Sequence, residues 1–558
     1  MAFHTWALGS LLMVELLGMF GFLVVLLRAA ILGLQTVAIG GVFFLLLAAR
    51  GKELRDAALL QSSWKVIRWM ALGLAISQLL FVLTNSLVLT YSADISLGEV
   101  LGANFVIAGW MAVAGGLAIF FWPAKLRESV NPIALLPAGL ILAASVMTSH
   151  SASRMEGRAV LITLTALHYL GTASWIGGIP YLLLTMKRVS DVNVRGRISQ
   201  RFSRMAQFSV VVLFAAGLGL SYVFVGSWAA VYGTAYGVMV SMKVALFFCL
   251  LLLGAANYYI VKEIPADAGG RRTSLIRFGE AEIGIGLTVI LTAASLTSQP
   301  PGVDMTQERV TYQEIATRFA PRMPRFKSPE ITELSEPSKQ AYRKAIEAGH
   351  SMPVSFVPGQ MASHPNTPGD IAWSEYNHNW AGLIVCLMGV LALLSRSRYF
   401  SWAKIWPLAF LLLAVFLFLR ADPENWPLGP NGFWASFSES EVLQHRVIVV
   451  MIIAFAAFQY MVETKRLKSP SAALVFPGVC AIGGAVLLTH SHALGNVKEE
   501  LLAEISHAQL AFFGIMAGWS RWLELRLPKE NRVRKSLAWV WPACFILVGL
   551  ILMDYHEA

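Results

Sequence analysis

Charge is scarce in this 558-residue sequence: Asp, Glu, Lys and Arg together make up 14%, against about 25% in an ordinary soluble domain. With 56% apolar residues and a mean hydropathy of +0.61, that scarcity excludes a water-soluble globular enzyme and assigns the chain to a bilayer. Cysteine is nearly missing. The four present, Cys249, Cys386, Cys480 and Cys544, are far apart and lie within apolar stretches. This excludes a disulfide framework and a Cys-x-x-Cys metal site, and leaves them as small packing residues. The first apolar segment has no basic residue before it and no small-residue cleavage site after it, so it reads as a retained helix rather than a signal peptide.

Long apolar runs dominate what is there. A membrane-spanning helix needs about 20 mostly apolar residues. Fifteen segments of that kind can be placed, the first two near 5–27 and 31–49 and the last near 536–553. The expected fold is therefore an all-α polytopic bundle of about 15 transmembrane helices. Lys and Arg concentrate in one alternating set of loops, including Arg50 and Arg55, Lys187 to Arg204, Arg271 to Arg277, Lys465 to Lys468, and Arg521 to Lys535. Basic residues are retained on the cytoplasmic side, which predicts the N-terminus inside and the C-terminus outside. The net charge of +11 thus reflects topology and calls for no nucleic-acid partner.

Four regions follow: N-terminal helices over 1–159, a membrane domain over 160–296, an extended external loop over 297–378, and a histidine-rich membrane lobe over 379–558. The loop holds ten prolines between Pro300 and Pro368 and one expected helix near 335–348, which suits a cover better than a self-folding domain.

The histidines are distributed unevenly. Ten of the eleven fall on the outer side of this topology, His150, His168, His350, His364, His378, His445, His490, His492, His507 and His556, with His4 alone inside. Neutral imidazole is the commonest protein metal ligand, so a metal handled at the outer face accounts for the set. A preference of imidazole for the headgroup zone accounts for single members. In the C-terminal lobe, LLTHSHALG ends one helix with His490 and His492, and KEELLAEISHAQL opens the next with Glu500, Glu504 and His507 on one face. SEYNHNW offers Glu375 and His378, and SESEVLQHR offers Glu441 and His445. The spacing allows four helix ends to converge on one outer site; carboxylates that only complement helix dipoles are the alternative. The turn RADPENWPLGPNGFW lies on the same face, where Trp426 and Trp434 suit an interfacial aromatic belt.

His168 differs from the rest. It lies about eight residues into its span, roughly 12 Å at 1.5 Å per residue, too deep to be interfacial. An intramembrane histidine marks a functional site by default. Trp175 follows seven residues later on the same face, flanked by Gly171 and Gly178, where small residues let a second helix approach. Lys243 lies seven residues into a later span, placed to snorkel outward or to pair within the bundle.

The stretches LHYLGTASWIGGIPYLLL, QRFSRMAQFSVVVLFAAGLGLSYVFVGSW and YGTAYGVMVSMKVALFFCLLLLGAANYYI occur in order. Together, over about residues 160–262, they resemble the CopD family of copper-resistance and copper-uptake membrane proteins. The resemblance implies copper passage across the bacterial inner membrane without covalent chemistry, and a periplasmic copper-binding partner of the CopC type. It adds weight to His168, and Lys243 matches the lysine of the third stretch. No fused CopC-like domain is present, and the C-terminal lobe lies outside the matching motifs. Copper also suits Met147, Met155, Met352 and Met361 near the outer face, since thioethers favour Cu(I). Met147 stands three residues before His150 and forms a candidate capture pair.

The expected function is copper binding and transport. His168, Trp175 and Lys243 are the expected route. His168, His150, Met147, His378, His445, His490, His492, His507, Glu504 and Glu375 are the expected metal ligands. Two alternatives stay open. One is a membrane oxidoreductase, using haem b or a dinuclear site built from Glu375-x-x-His378 and Glu504-x-x-His507. The other is a copper-delivery factor without net transport.

Overall fold

The computed structural model describes residues 2–51, 56–92, 95–127, 131–263, 270–306, 309–330, 334, 367–437, 440–489 and 497–556. Of the sequence-based expectations, the helix at 335–348, His350, His364, His490, His492, Met352 and Met361 lie outside the described residues, as do the side chains of His4, Glu441 and Glu500. The described residues form helices, turns and loops with no strand among them. Among the described residues, eleven helices are long and apolar enough to cross a membrane, and three shorter apolar helices accompany them. Large apolar side chains such as Leu136, Phe208, Tyr222 and Leu252 are 72–83% exposed, as a lipid-facing surface requires. The chain is an all-α polytopic membrane protein.

It falls into two compact units, which divide between Arg309 and Val310. The first contains α1 (Ala2–Phe43), α2 (Ala57–Ser92), α3 (Asn104–Phe120), α4 (Leu135–Met147), α5 (Arg158–Trp175), α6 (Ile179–Arg188), α7 (Val192–Phe224), α8 (Ala235–Glu263) and α9 (Gly270–Leu296). Helices α1 and α9 are its most buried, each with 61% of its apolar stretch buried, and the others pack around them. Close approach is built from glycine. A β-carbon on Gly40 would lie 2.3 Å from the Ala173 carbonyl oxygen, and one on Gly177 would lie 2.0 Å from that of Thr36. The end of α1 and the Ile176–Gly178 turn therefore touch backbone to backbone, as small residues permit in membranes.

One expectation needs correction. The two N-terminal spans near 5–27 and 31–49 are a single helix, α1, continued by a π-helical turn over Phe44–Ala48. Arg28 lies between the two expected spans, but Arg-Ala-Ala contains no helix breaker, and the arginine has no need to reach water. Its guanidinium donates to Thr297 Oγ1 at 3.4 Å and lies 4.9 Å over the Phe81 ring.

The second unit contains α10 (Tyr312–Arg318), α11 (Pro368–Leu394), α12 (Ala409–Arg420), α13 (Ser440–Glu463), α14 (Val475–Leu487), α15 (Val497–Arg526) and α16 (Arg532–Met553). Its core joins Trp406, Phe476 and Trp541 to Met388, Ala517 and Cys544. Helices α11 and α16 cross closely because Gly382, Gly389 and Gly549 carry no side chain; a β-carbon on Gly549 would lie 2.4 Å from the Cys386 amide nitrogen. Two helices, α10 and the first turns of α11, occupy parts of the stretch expected as an extended loop. Thr367 caps α11 in a reciprocal box with Asp370, and this starts the helix at Pro368, ahead of the apolar run.

Candidate functional site

Helix α5 presents His168 and Trp175 on one face of the first unit. The His168 ring lies near the Leu213 backbone carbonyl of α7, and its Nδ1 is buried without a partner. A β-carbon on Gly217 would lie 3.7 Å from ring Cε1 and 3.8 Å from Nδ1, so the glycine keeps α7 clear of that nitrogen. Lys243 of α8 lies within electrostatic reach of the ring. Gly171 lets the same helix approach closely, since its β-carbon would sit 3.1 Å from the Ser209 carbonyl oxygen of α7. The structure thus brings His168 and Lys243 together.

Trp175 lies further along α5, 4% exposed and edge-on to Phe247 of α8 at 6.0 Å. Gly178 makes room for Phe202, which a β-carbon would meet at 2.5 Å. The Gly177–Gly178 pair is therefore accounted for by packing. Beyond Trp175 the structure shows a feature absent from the expected route. Glu282 of α9 and Asn257 of α8 are 4% and 8% exposed, and Asn257 Nδ2 donates to Glu282 Oε2 at 3.1 Å. A β-carbon on Gly254 would touch both Glu282 Oε1, at 3.3 Å, and Trp175 Cζ2, at 3.7 Å. The signal for this pair was a carboxylate inside an apolar span, the same criterion that selected His168.

The end of the unit where α5 begins holds His150, on the short helix His150–Ser153. Its ring packs against Phe224 at 6.1 Å and Tyr236 at 6.3 Å. Burial holds its pKa below the usual histidine value, aided by the Arg28 and Arg154 charges and opposed by the Leu296 carbonyl and Asp304. The imidazole is therefore neutral near pH 7, the form that binds metals. Its Nε2 is buried without a partner. Met147, expected beside it, turns to the surface at 37% exposed.

In the second unit the expected residues occupy separate settings. Glu375 pairs with Arg325 at 3.1 Å and approaches His556 Nδ1 at 3.8 Å. The His378 ring stacks on Tyr555 at 4.0 Å, with Nδ1 2.8 Å from the Ser374 carbonyl. His445 Nδ1 lies 2.7 Å from Asp422, whose other oxygen faces Arg446 at 3.6 Å. Arg446 in turn donates to the carbonyls of Phe418 and Trp426, both at 2.6 Å. Glu504 is 1% exposed on α15, one turn before the half-buried His507. Among the described residues no three His, Cys, Asp or Glu side chains come together as a metal site. The convergence of four helix ends is not found among them. The contacts that Tyr555, Arg325 and Asp422 make with these residues were not expected, because each spans a sequence separation that spacing rules do not reach.

Comparison with known proteins locates one family. Residues 196–296 match the sequence model of CopD, described as Copper resistance protein D. This stretch runs through α7, α8 and α9 and includes Leu213, Gly217, Lys243, Asn257 and Glu282; His168 and Trp175 precede it. The chain is also 28% identical over 295 residues to the Copper transport protein CutJ of Bacillus subtilis (strain 168), a match covering 49% of this chain and 52% of that protein. The chain thus spans about half the length of the curated relative it matches. No solved structure matches. Over residues 196–296, then, this membrane protein is similar to the CopD family, and about half of it is similar to a copper transport protein.

Proposed function

We propose that this protein moves copper across the bacterial inner membrane and performs no covalent chemistry. The observation that carries the reading is His168, a histidine inside the first unit with a buried, unpartnered Nδ1 beside the space left by Gly217. A buried polar atom with no partner is costly in a bilayer unless a ligand uses it, and imidazole nitrogen suits copper in either oxidation state. His150, neutral and with its own unpartnered Nε2, precedes it as a capture ligand. Trp175 walls the path beyond, and Lys243 stands beside the ring. The CopD and CutJ likenesses support copper as the cargo.

In the second unit, Asp422 on His445 resembles the carboxylate that orients a metal-ligating imidazole through its other nitrogen. This supports a separate capture role for His445. A periplasmic copper carrier of the CopC type is the proposed donor.

The test is copper flux into proteoliposomes together with copper bound per purified protein. We expect His168→Ala to fold, to bind less copper and to lose at least about tenfold in flux, the scale of one lost ligand contact. Unchanged flux in that variant would overturn the route. Copper binding without flux in the unaltered protein would make it a delivery factor.

A further inference from the structure

Resting on the transport reading, we propose that Glu282, held by Asn257, is a proton-binding site whose loading and unloading is coupled to copper passage. Glu282 is the thirteenth of the 27 residues of α9, so it stands at the helix midpoint, about 20 Å from either end at 1.5 Å per residue. It is 4% exposed, and its Oε2 accepts a hydrogen bond from Asn257 Nδ2 at 3.1 Å. Glu282 Oε1 and Asn257 Oδ1 are both buried without a partner. Two acceptors with no donor form a site that lacks a proton or a cation, and an ionised carboxylate there has no charge to pair with.

Among the described residues, the basic side chains on the elements packed against α9 are bonded elsewhere or exposed. On α1, Arg28 is bonded to Thr297. On α8, Lys243 faces His168 and Lys262 is exposed near the far end. On α6, Lys187 and Arg188 are exposed in the last turn, and Tyr181 donates to the Val37 carbonyl at 2.9 Å. The turn Ile176–Gly178 carries no charge. On α9 itself, Arg272 donates to the Met186 carbonyl and Arg277 pairs with Glu280 at 2.5 Å.

Hard oxygen donors suit a proton better than a soft copper ion. Position couples the two: Gly254 leaves only a side-chain-free gap between Glu282 Oε1 and the indole of Trp175, with contacts of 3.3 and 3.7 Å to a β-carbon placed there. A cation arriving past Trp175 meets this carboxyl next. Electrostatic repulsion between that cation and the bound proton then drives the proton from Oε1 to water. No bond to carbon changes and no electron moves.

The experiment has two readouts on the full chain. In the infrared spectrum, the carbonyl stretch of a protonated carboxylic acid should be present at neutral pH and lost in Glu282→Gln. In proteoliposomes, an imposed pH gradient should change copper flux severalfold in the unaltered protein and leave it unchanged in Glu282→Gln. A pH response equal in both proteins overturns the proposal. So does dependence on a sodium gradient that Glu282→Gln abolishes, which would assign the site to sodium. If the unaltered protein moves no copper, the transport reading fails, and the infrared band alone decides whether Glu282 holds a proton; its absence overturns that too. Should Glu282→Gln not fold, Glu282→Asp keeps the carboxyl and must move the pH at which the band titrates; no movement overturns the assignment.

Discussion

At the scale of single residues, two histidines of the first unit show how environment separates roles that composition cannot. His168 is buried inside the span with Lys243 at its side, whereas His150 lies outside the spans between Phe224 and Tyr236. Only the second can be read through ordinary proton linkage. Its folded pKa is lowered, first by burial, so the unfolded chain binds the extra proton over the window between the two values. Stability from this group is then present above the ordinary histidine pKa, about 6.5, and is lost as pH falls below it. We expect thermal stability of the purified protein to decline from about pH 7 to pH 5, His150 contributing a slope of at most about 1.4 kcal/mol per pH unit. His150→Gln should flatten that decline. A decline of equal steepness in the variant would show that other groups carry it.

At the scale of helices, glycine position rather than glycine content determines the packing. Gly483 and Gly484 are neighbours on α14, yet a β-carbon on Gly483 meets nothing within 4 Å, while one on Gly484 would lie 2.8 Å from both the Ala511 carbonyl oxygen and the Ile515 nitrogen of α15. Adjacent substitutions should therefore act in opposite directions. Gly483→Ala should be neutral or stabilise by about 0.5–1 kcal/mol through helix propensity. Gly484→Ala should destabilise by about 1–3 kcal/mol by overpacking. Thermal unfolding of the two variants in one detergent checks the order; the reverse order would mean that α14 and α15 do not pack as described. Most helices were legible in the sequence because apolar length alone marks them, and His168 because depth does. The glycine contacts, the Glu282–Asn257 pair and the orientation of His445 by Asp422 were not, since each joins residues that only the packed bundle brings together.

For the whole molecule, joining the two N-terminal segments into α1 has a topological consequence. The charge-rich loops still alternate from Arg50 onward, so the rule that keeps Lys and Arg on the cytoplasmic side continues to put Arg50 and the Lys187–Arg204 stretch inside. A single crossing between Phe20 and Ala48, combined with that rule, predicts the first residues, His4 among them, on the outer side, where two crossings predict an internal N-terminus. Arg28, whose engagement with Thr297 and Phe81 lets the helix continue, is the residue on which this reversal depends. Reporter fusions should show an enzyme active only outside the cytoplasm working at the N-terminus and failing in the Lys187–Arg204 stretch. An N-terminal fusion active only in the cytoplasm would require a second crossing before Arg50 and would break α1 into two spans near Arg28.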